Sequence, residues 1–452
     1  MSAYRRSWRA GCGYRTLRAT IACTRSGGDA PSADDAPGAS RTRRRLTPRC
    51  SVGGVLRAVL LASLVAAPAA AAQTPAPAAA PLPSQAPTLS GPTVRATGVS
   101  IPLRGAGIAA GAVADLQRRT PAGAWITIKT AQADAQGALA VRYRPTRLSR
   151  RYVLRLAVGG LASPPIAVRS RDVTLAAFGD ANFGDGVLSV MQQRGALHPW
   201  RGVAPTLRRA DIAFGNLECA ISHRGAPVEK QYTFRGRPRD LRAVVRFAGL
   251  DALNLANNHA GDFGMAALLD TVGAVRDAGA VPVGAGATLA AAREPQVITR
   301  LGLRVAFVGF SDIGPAAFFA GPGSPGTSNA TFAAIDAGVR AARRRADVVV
   351  ATFHWGIERS PNENARQRAF AQAALRAGAG AVIGAHPHVL QPIRRLPGRR
   401  LIAYSLGNFV WSAGSATTAR TGILRVGLSR RGVEHAKLLP AVIEATRPRL
   451  LR

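Results

Sequence analysis

From Val173 onward, short apolar runs recur with little polar alternation: VTLAAF, DIAFGN, DALNLA, RVAFVG, DVVVATF, AVIGA and RLIAYS. Strands of this kind are buried on both faces and belong to a sheet covered by helices. Between the runs, helical spacing predicts helices over Leu268–Ala278, Phe332–Arg345 and Ala365–Ala377, with Gly279 and Gly378 where left-handed C-caps belong. Gln296–Arg300 and Arg304–Phe310, joined through Leu301-Gly302-Leu303, read as a hairpin, so the sheet is expected to be mixed. The pattern predicts a two-layered α/β domain over residues 172–446.

Upstream the rhythm differs. Residues 93–170 carry short alternating runs (VRATGVSIPL, AWITIKTA, ALAVRYRP, YVLRLAV) separated by Gly, Pro, Asp and Ser. That spacing predicts a small antiparallel sandwich. It resembles bacterial immunoglobulin-like modules, above all across Trp125–Tyr143, and its expected role is that of a spacer or adhesion module. Residues 73–92 are rich in Pro and Ala and read as a semi-extended linker.

Residues 1–72 read as an Arg-rich leader and signal sequence. A basic stretch (Arg41, Arg43, Arg44, Arg45, Arg49) precedes the apolar run from Val55, and small residues end it, with Ala70 and Ala72 before Gln73. Thr42-Arg43-Arg44-Arg45-Leu46 is faintly similar to a twin-arginine signal. The protein is therefore expected to be secreted or attached to the cell envelope, with membrane anchoring if the signal stays uncleaved. Cys12, Cys23 and Cys50 precede the expected cut, so Cys219 alone remains and no internal disulfide is expected.

Length and composition suit two domains plus non-core segments: 452 residues, 47% hydrophobic, with 48 Gly and 30 Pro. The 60 Lys and Arg against 24 Asp and Glu leave a formal net charge of +36. Such a balance fits an anionic polymer, membrane or wall as partner, or the Arg and Ala enrichment of a GC-rich genome. The arginines are scattered without interleaved aromatics or a nucleic-acid module, which argues against nucleic acid.

The chemistry lies at the strand ends. Successive strands run out into Asp180, into Asn216 and Glu218, into Asn258 and His259 followed by Asp262, into His354 followed by Glu358, into His386-Pro387-His388, and into Asn408. In an α/β sheet the C-terminal strand ends form the rim where ligands bind. Four of the seven histidines fall there. Imidazole, carboxylate and amide donors suit a divalent Mn, Fe or Zn, one ion or two. No Walker loop or dinucleotide fingerprint is present.

The ordered set GDANFG, GNLE, LANNHAGDFG, HWGIE, GAHPHVLQ and YSLGNF resembles the CapA family, named for capsule and poly-γ-glutamate synthesis, and its order parallels the calcineurin-like metallophosphoesterases. The resemblance implies a metallophosphoesterase-like α/β fold with layered mixed sheets flanked by helices. On that analogy Asp180 is the first metal ligand, Asn258 and His259 the Asn-His pair, His354 the isolated middle histidine, and His386 with His388 the closing pair. Asn182 stands where phosphoesterases usually carry histidine, and Asn216-Leu217-Glu218 replaces their Gly-Asp turn. Glu218 is thus expected to bridge, with Asn216 as a further ligand. His259 and Asp262 are the expected catalytic residues, His259 as general acid, with Asp262 and Glu358 as orienting carboxylates. Asn408, Arg235 and Arg237 are expected to meet substrate, Trp355 to lie in the core, and Cys219 to be a small buried residue. The implied function is an exported metal-dependent hydrolase of a phosphoester or anionic envelope polymer. The alternatives are γ-glutamyl amide-bond chemistry and non-enzymatic polymer binding.

Overall fold

The computed structural model describes residues 85–144 and 151–451. The expected leader and most of the linker lie outside the described residues.

The first module is a sandwich, as its alternation predicts, but not wholly antiparallel, because Val94–Ala96 pairs parallel with Ile166–Arg171. Thr88–Ser90, Ile101–Ala106 and Leu139–Tyr143 form one sheet; Val94–Ala96, Ile166–Arg171, Arg151–Val158, Val113–Arg119 and Trp125–Gln132 form the other. Side chains alternate in and out along Ile101–Ala106, and Leu103, Leu116, Leu154 and Val168 close a separate core. Thr88–Ser90 falls in the segment read as linker, yet it pairs antiparallel with Ile101–Ala106.

The second module doubles the expected layering. Among the described residues one sheet has eight strands and the other six, and the two pack face to face. In the first, Val281–Val283, Ala252–Asn254, Ile212–Leu217 and Val173–Ala181 run parallel, and Arg420–Ser429 then pairs antiparallel. In the second, Leu303–Ser311, Val348–His354, Ala381–Ala385 and Arg400–Ala403 run parallel. The predicted hairpin edges it, Gln296–Arg300 pairing antiparallel with Leu303–Ser311. Arg447–Leu450 extends the first sheet beyond the expected end at 446.

Strand alternation explains the four layers. Val173, Leu175 and Ala177 face the second sheet, where Phe214 and Phe307 stack with centroids 5.1 Å apart. Ala176 and Phe178 face the opposite way, onto helices Pro238–Ala248 and Gly264–Ala278. Helices Phe332–Arg345 and Ala365–Ala377 cover the outer face of the second sheet through Ile335, Val339, Phe370 and Leu375. Each strand is thus apolar on both faces for a stated reason: a sheet on one side, helices on the other. Asn364 and Gln367 form a reciprocal capping box, and Gly279 and Gly378 end their helices in the left-handed region at φ 96° and 112°. No helix among the described residues is long and apolar enough to cross a membrane.

Candidate metal centre

The parallel strands of both sheets end on the same side, and their last residues converge. Asp180 is the penultimate residue of the central strand of the first sheet, and Asn216 the penultimate residue of the neighbouring strand, with Glu218 just beyond its end. His354 ends a strand of the second sheet, and the turn after Ala381–Ala385 carries His386 and His388. The backbone allows little latitude here. A Cβ on Gly179 would lie 1.8 Å from the carbonyl oxygen of Gly407, so only glycine lets the strand bearing Asp180 approach the one bearing Asn408. His386 and His388 both sit at positive φ, 97° and 57°, in a region that costs non-glycine residues about 1 kcal/mol or more.

Glu218 is the hub. Its Oε1 is buried with no hydrogen-bond partner among the described residues, 3.6 Å from His354 Nε2, 3.8 Å from His388 Nε2 and 4.0 Å from His259 Nε2. Two donors that share one ion at about 2.1 Å can stand no more than about 4.2 Å apart, so the separations of His354 and His388 are those of ligands rather than of direct bonds, while His259 stands outside either cluster. Glu218, His386 and His388 form one cluster able to hold a metal ion, and Asp180, Glu218 and His354 form another. Glu218 belongs to both, the geometry of a bridging carboxylate. His386 Nδ1 is a second buried atom without a partner. The donor set and these two orphaned atoms fit one or two divalent ions.

The charges agree. Burial and the adjacent Asp180 push the Glu218 carboxyl well above its usual range. Burial would raise Asp180 too, but the hydrogen bond and charge of His388 hold it low. Burial and the neighbouring His388 lower His386 to about 3, and burial with the facing imidazoles lowers His354 well below its ordinary value. These two imidazoles stay neutral and leave nitrogen lone pairs for a cation, whereas for His388 burial is outweighed by the hydrogen bond and charge of Asp180, which raise it.

The remaining expected residues take distinct roles. Asn216 Nδ2 donates to Asp180 Oδ1 at 2.8 Å and Glu218 Oε2 at 3.0 Å, while its Oδ1 accepts from Asn254 at 2.9 Å and Asn257 at 3.3 Å. It therefore braces the two carboxylates, and its oxygen, the atom a metal would need, is already engaged. Asn258 Oδ1 lies 2.9 Å from His354 Nε2, inside the cluster. His388 Nδ1 lies 3.0 Å from Asn408 Oδ1 and 3.3 Å from Asp180 Oδ2, which leaves Nε2 directed at Glu218. Such contacts fix tautomer and ring orientation. Asp262, expected among the catalytic residues, sits fully buried behind His259 and holds its Nδ1 at 2.7 Å. Arg235 donates to the carbonyls of Arg224 and Gly225 and stacks 3.6 Å over Phe263, and Arg237 pairs with Asp240 at 2.6 Å. Both expected substrate arginines are committed to the chain itself. Asn182 accepts from the Gly184 amide at 2.7 Å, Trp355 is core, and Cys219 is buried.

Three site residues, Lys230, Trp411 and Arg359, escaped the sequence reading. Lys230 donates to Asp262 Oδ1 and the Asn258 carbonyl, each at 2.7 Å. Its signal was rarity, since only Lys129, Lys230 and Lys437 interrupt the arginines of this chain. Trp411 packs against His388 at 4.8 Å. With Glu358, Arg359, His388 and Asn408 it lines a cavity of about 280 Å³ that opens beside the cluster.

A double-sheet α/β core with a histidine-carboxylate cluster at its strand ends defines a protein of metallophosphoesterase-like architecture. Sequence comparison gives the family: residues 174–413 match the bacterial capsule synthesis protein PGA_cap, and the chain belongs to that family. It is 32% identical over 294 residues to the PGA biosynthesis protein CapA of Bacillus subtilis (strain 168), covering 64% of this chain and 77% of that one. It is 30% identical over 297 residues to the capsule biosynthesis protein CapA of Bacillus anthracis, covering 64% and 72%. A probable polyglutamine synthesis accessory protein of Mycobacterium tuberculosis (strain H37Rv) is 30% identical over 226 residues, covering 47% and 59%.

Proposed function

We propose that this protein is an exported metal-dependent hydrolase that acts on a phosphoester or an anionic cell-envelope polymer in the setting of capsule and poly-γ-glutamate synthesis. The observation that carries the reading is the unbonded Glu218 Oε1 facing three imidazole nitrogens between 3.6 and 4.0 Å away. Asp180, Glu218, Asn258, His354, His386 and His388 would hold one or two ions of the Mn, Fe or Zn class, which supply Lewis-acid polarisation of a substrate oxygen and activation of water.

The chain's own residues do the rest. His259 is kept neutral by burial against the opposing pull of Asp262, so its Nε2 takes a proton from the nucleophile and returns it to the leaving group. Lys230 offsets the charge of Asp262 and fixes the loop that carries His259. Substrate enters by the cavity beside His388. Arg359 lines that cavity exposed, its backbone at φ 61° tied by its amide to the Pro387 carbonyl at 2.7 Å. Its exposed guanidinium can meet a carboxylate or phosphate.

A second reading, cleavage or transfer of a γ-glutamyl amide bond, is favoured by one feature. Glu358 lines the same cavity next to Arg359, so the entrance offers an acceptor for N–H as well as a grip for carboxylate. The signal-like run at Val55–Gln73 supports export, and an uncleaved signal would anchor the protein to a membrane.

The test is turnover by purified protein loaded in turn with Mn, Fe and Zn, on bis-p-nitrophenyl phosphate and on poly-γ-glutamate. Release of nitrophenol assigns phosphoester chemistry, and chain shortening assigns amide chemistry. Bound metal with neither activity, or no bound metal, ends the hydrolase reading in favour of a polymer-binding role.

A further inference from the structure

Two cavities meet at the far edge of the second sheet, where the parallel strands begin. One, of about 410 Å³, opens along the seam between the two modules and is lined by Arg95, Arg142 and Arg144 of the sandwich and by Arg304 and Arg430 of the α/β domain. The other, of about 230 Å³, shares Arg430 and runs on to Arg343, Arg399, Arg400 and Arg431. The seam itself is pinned by hydrogen bonds from the Ala96 amide to the Leu301 carbonyl at 2.9 Å and from the Arg430 amide to the Thr97 carbonyl at 3.1 Å.

The charge here is unbalanced. Among the described residues Asp347 is the single carboxylate lining either cavity, and Arg304 at 3.3 Å and Arg430 at 3.6 Å already share it. Glu434, the other nearby acid, is divided between Arg399 and Arg431. On the sandwich side Arg142 and Arg144 are exposed, and Arg95 Nε is buried with no hydrogen-bond partner. Arg95 reaches the cavity by crossing Gly302 so closely that a Cβ there would stand 2.3 Å from its guanidinium. Guanidinium groups crowded in a concavity repel one another and favour an anionic guest, which each can grip through two parallel N–H donors.

We propose that this seam groove is a second binding site, for a linear polyanion bearing repeated carboxylate or phosphate groups. Among the described residues no aromatic side chain lines either cavity, so the bases of a nucleic acid would have nothing there to stack on. Both cavities are concave and arginine-rich, unlike the flat apolar face that enters a lipid surface. Asp347 immediately precedes the strand Val348–His354, which at about 3.3 Å per residue puts the groove roughly 20 Å from the metal centre. A polymer held in the groove raises the local concentration of its own distal units at the centre. The inference shares an anionic polymer with the proposed function but uses none of its residues.

The experiment measures fluorescence anisotropy of labelled poly-γ-glutamate and labelled polyphosphate with the full, metal-loaded chain. The variant Arg95→Gln/Arg142→Gln/Arg144→Gln neutralises side chains that hold no acidic partner among the described residues. A control, Arg242→Gln/Arg246→Gln/Arg276→Gln, removes the same charge from exposed helical positions elsewhere. The seam variant is expected to bind at least about tenfold more weakly with a shallower salt dependence, and the control to change less than about twofold. The better-held polymer tells carboxylate from phosphate. Equal losses in the two variants, or wild type that binds neither polymer, overturn the proposal. Turnover of bis-p-nitrophenyl phosphate by the seam variant is expected to match wild type. Absence of turnover in wild type would defeat the hydrolase reading while leaving the binding comparison to decide the groove.

Discussion

His259 Nδ1 stands 2.7 Å from Asp262 Oδ2, and the same carboxylate accepts the Phe234 amide at 2.7 Å and, through its other oxygen, Lys230 at 2.7 Å. One buried acid thereby sets the tautomer of the histidine, seats a cation and closes a loop. Asp262→Asn is expected to lower turnover by about 10–100-fold with little change in KM, since the amide cannot serve all three donors. Steady-state kinetics on the metal-loaded variant checks this, and an unchanged kcat would remove Asp262 from the machinery.

Glu218→Gln separates metal affinity from intrinsic stability. Without metal, the variant is expected to melt at or above the wild-type temperature, because burial and Asp180 both disfavour the native carboxylate. With Mn or Zn added, wild type gains thermal stability and the variant does not. Calorimetry with and without chelator reads both effects, and an equal metal-induced gain in the two proteins would displace Glu218 from the hub.

The pair Arg224–Asp270 gives a pH dependence of known sign. Hydrogen bonds from Arg224 and Ser222 hold the Asp270 carboxyl at about 2. A carboxyl depressed below its unfolded value contributes stability in full above about pH 4, and that contribution is lost as the pH falls toward the folded value. Asp270→Asn is therefore expected to be less stable than wild type at neutral pH and to converge with it near pH 2. The difference is small because the pair is largely exposed, and it shrinks in high salt. Melting curves across this range that stay parallel would refute the coupling.

Cys219 lies beside Glu218 but belongs to the core cluster, and burial pushes its thiol well above the usual range. In protein prepared without residues 1–72, which carry Cys12, Cys23 and Cys50, thiol reagents are expected to leave the native fold unmodified and to label one equivalent only after denaturation. Rapid labelling of native protein would mean that this part of the core opens.

Much of this protein was legible in its sequence because local patterns have local causes. Phe332–Arg345 and Ala365–Ala377 form helices over the predicted residues, since caps and period are written into neighbouring positions. The strand-end rule also places Asp180, Glu218, His354, His386 and His388 on one rim.

What the sequence by itself determined, then, is the set of elements and the donor chemistry: doubly apolar strands, capped helices, and imidazoles and carboxylates placed where strands end. Tertiary structure alone decided which of those donors face one another. It turned the oxygen of Asn216 toward Asn254 and Asn257, committed Arg235 and Arg237 to local partners, and brought Lys230 beneath His259. Apolar periodicity says that a strand is covered on both faces, but not whether the cover is a helix or a second sheet, because burial is non-directional. Hydrogen bonds and ion pairs are directional and short, so the roles of polar side chains emerge only once the two sheets meet.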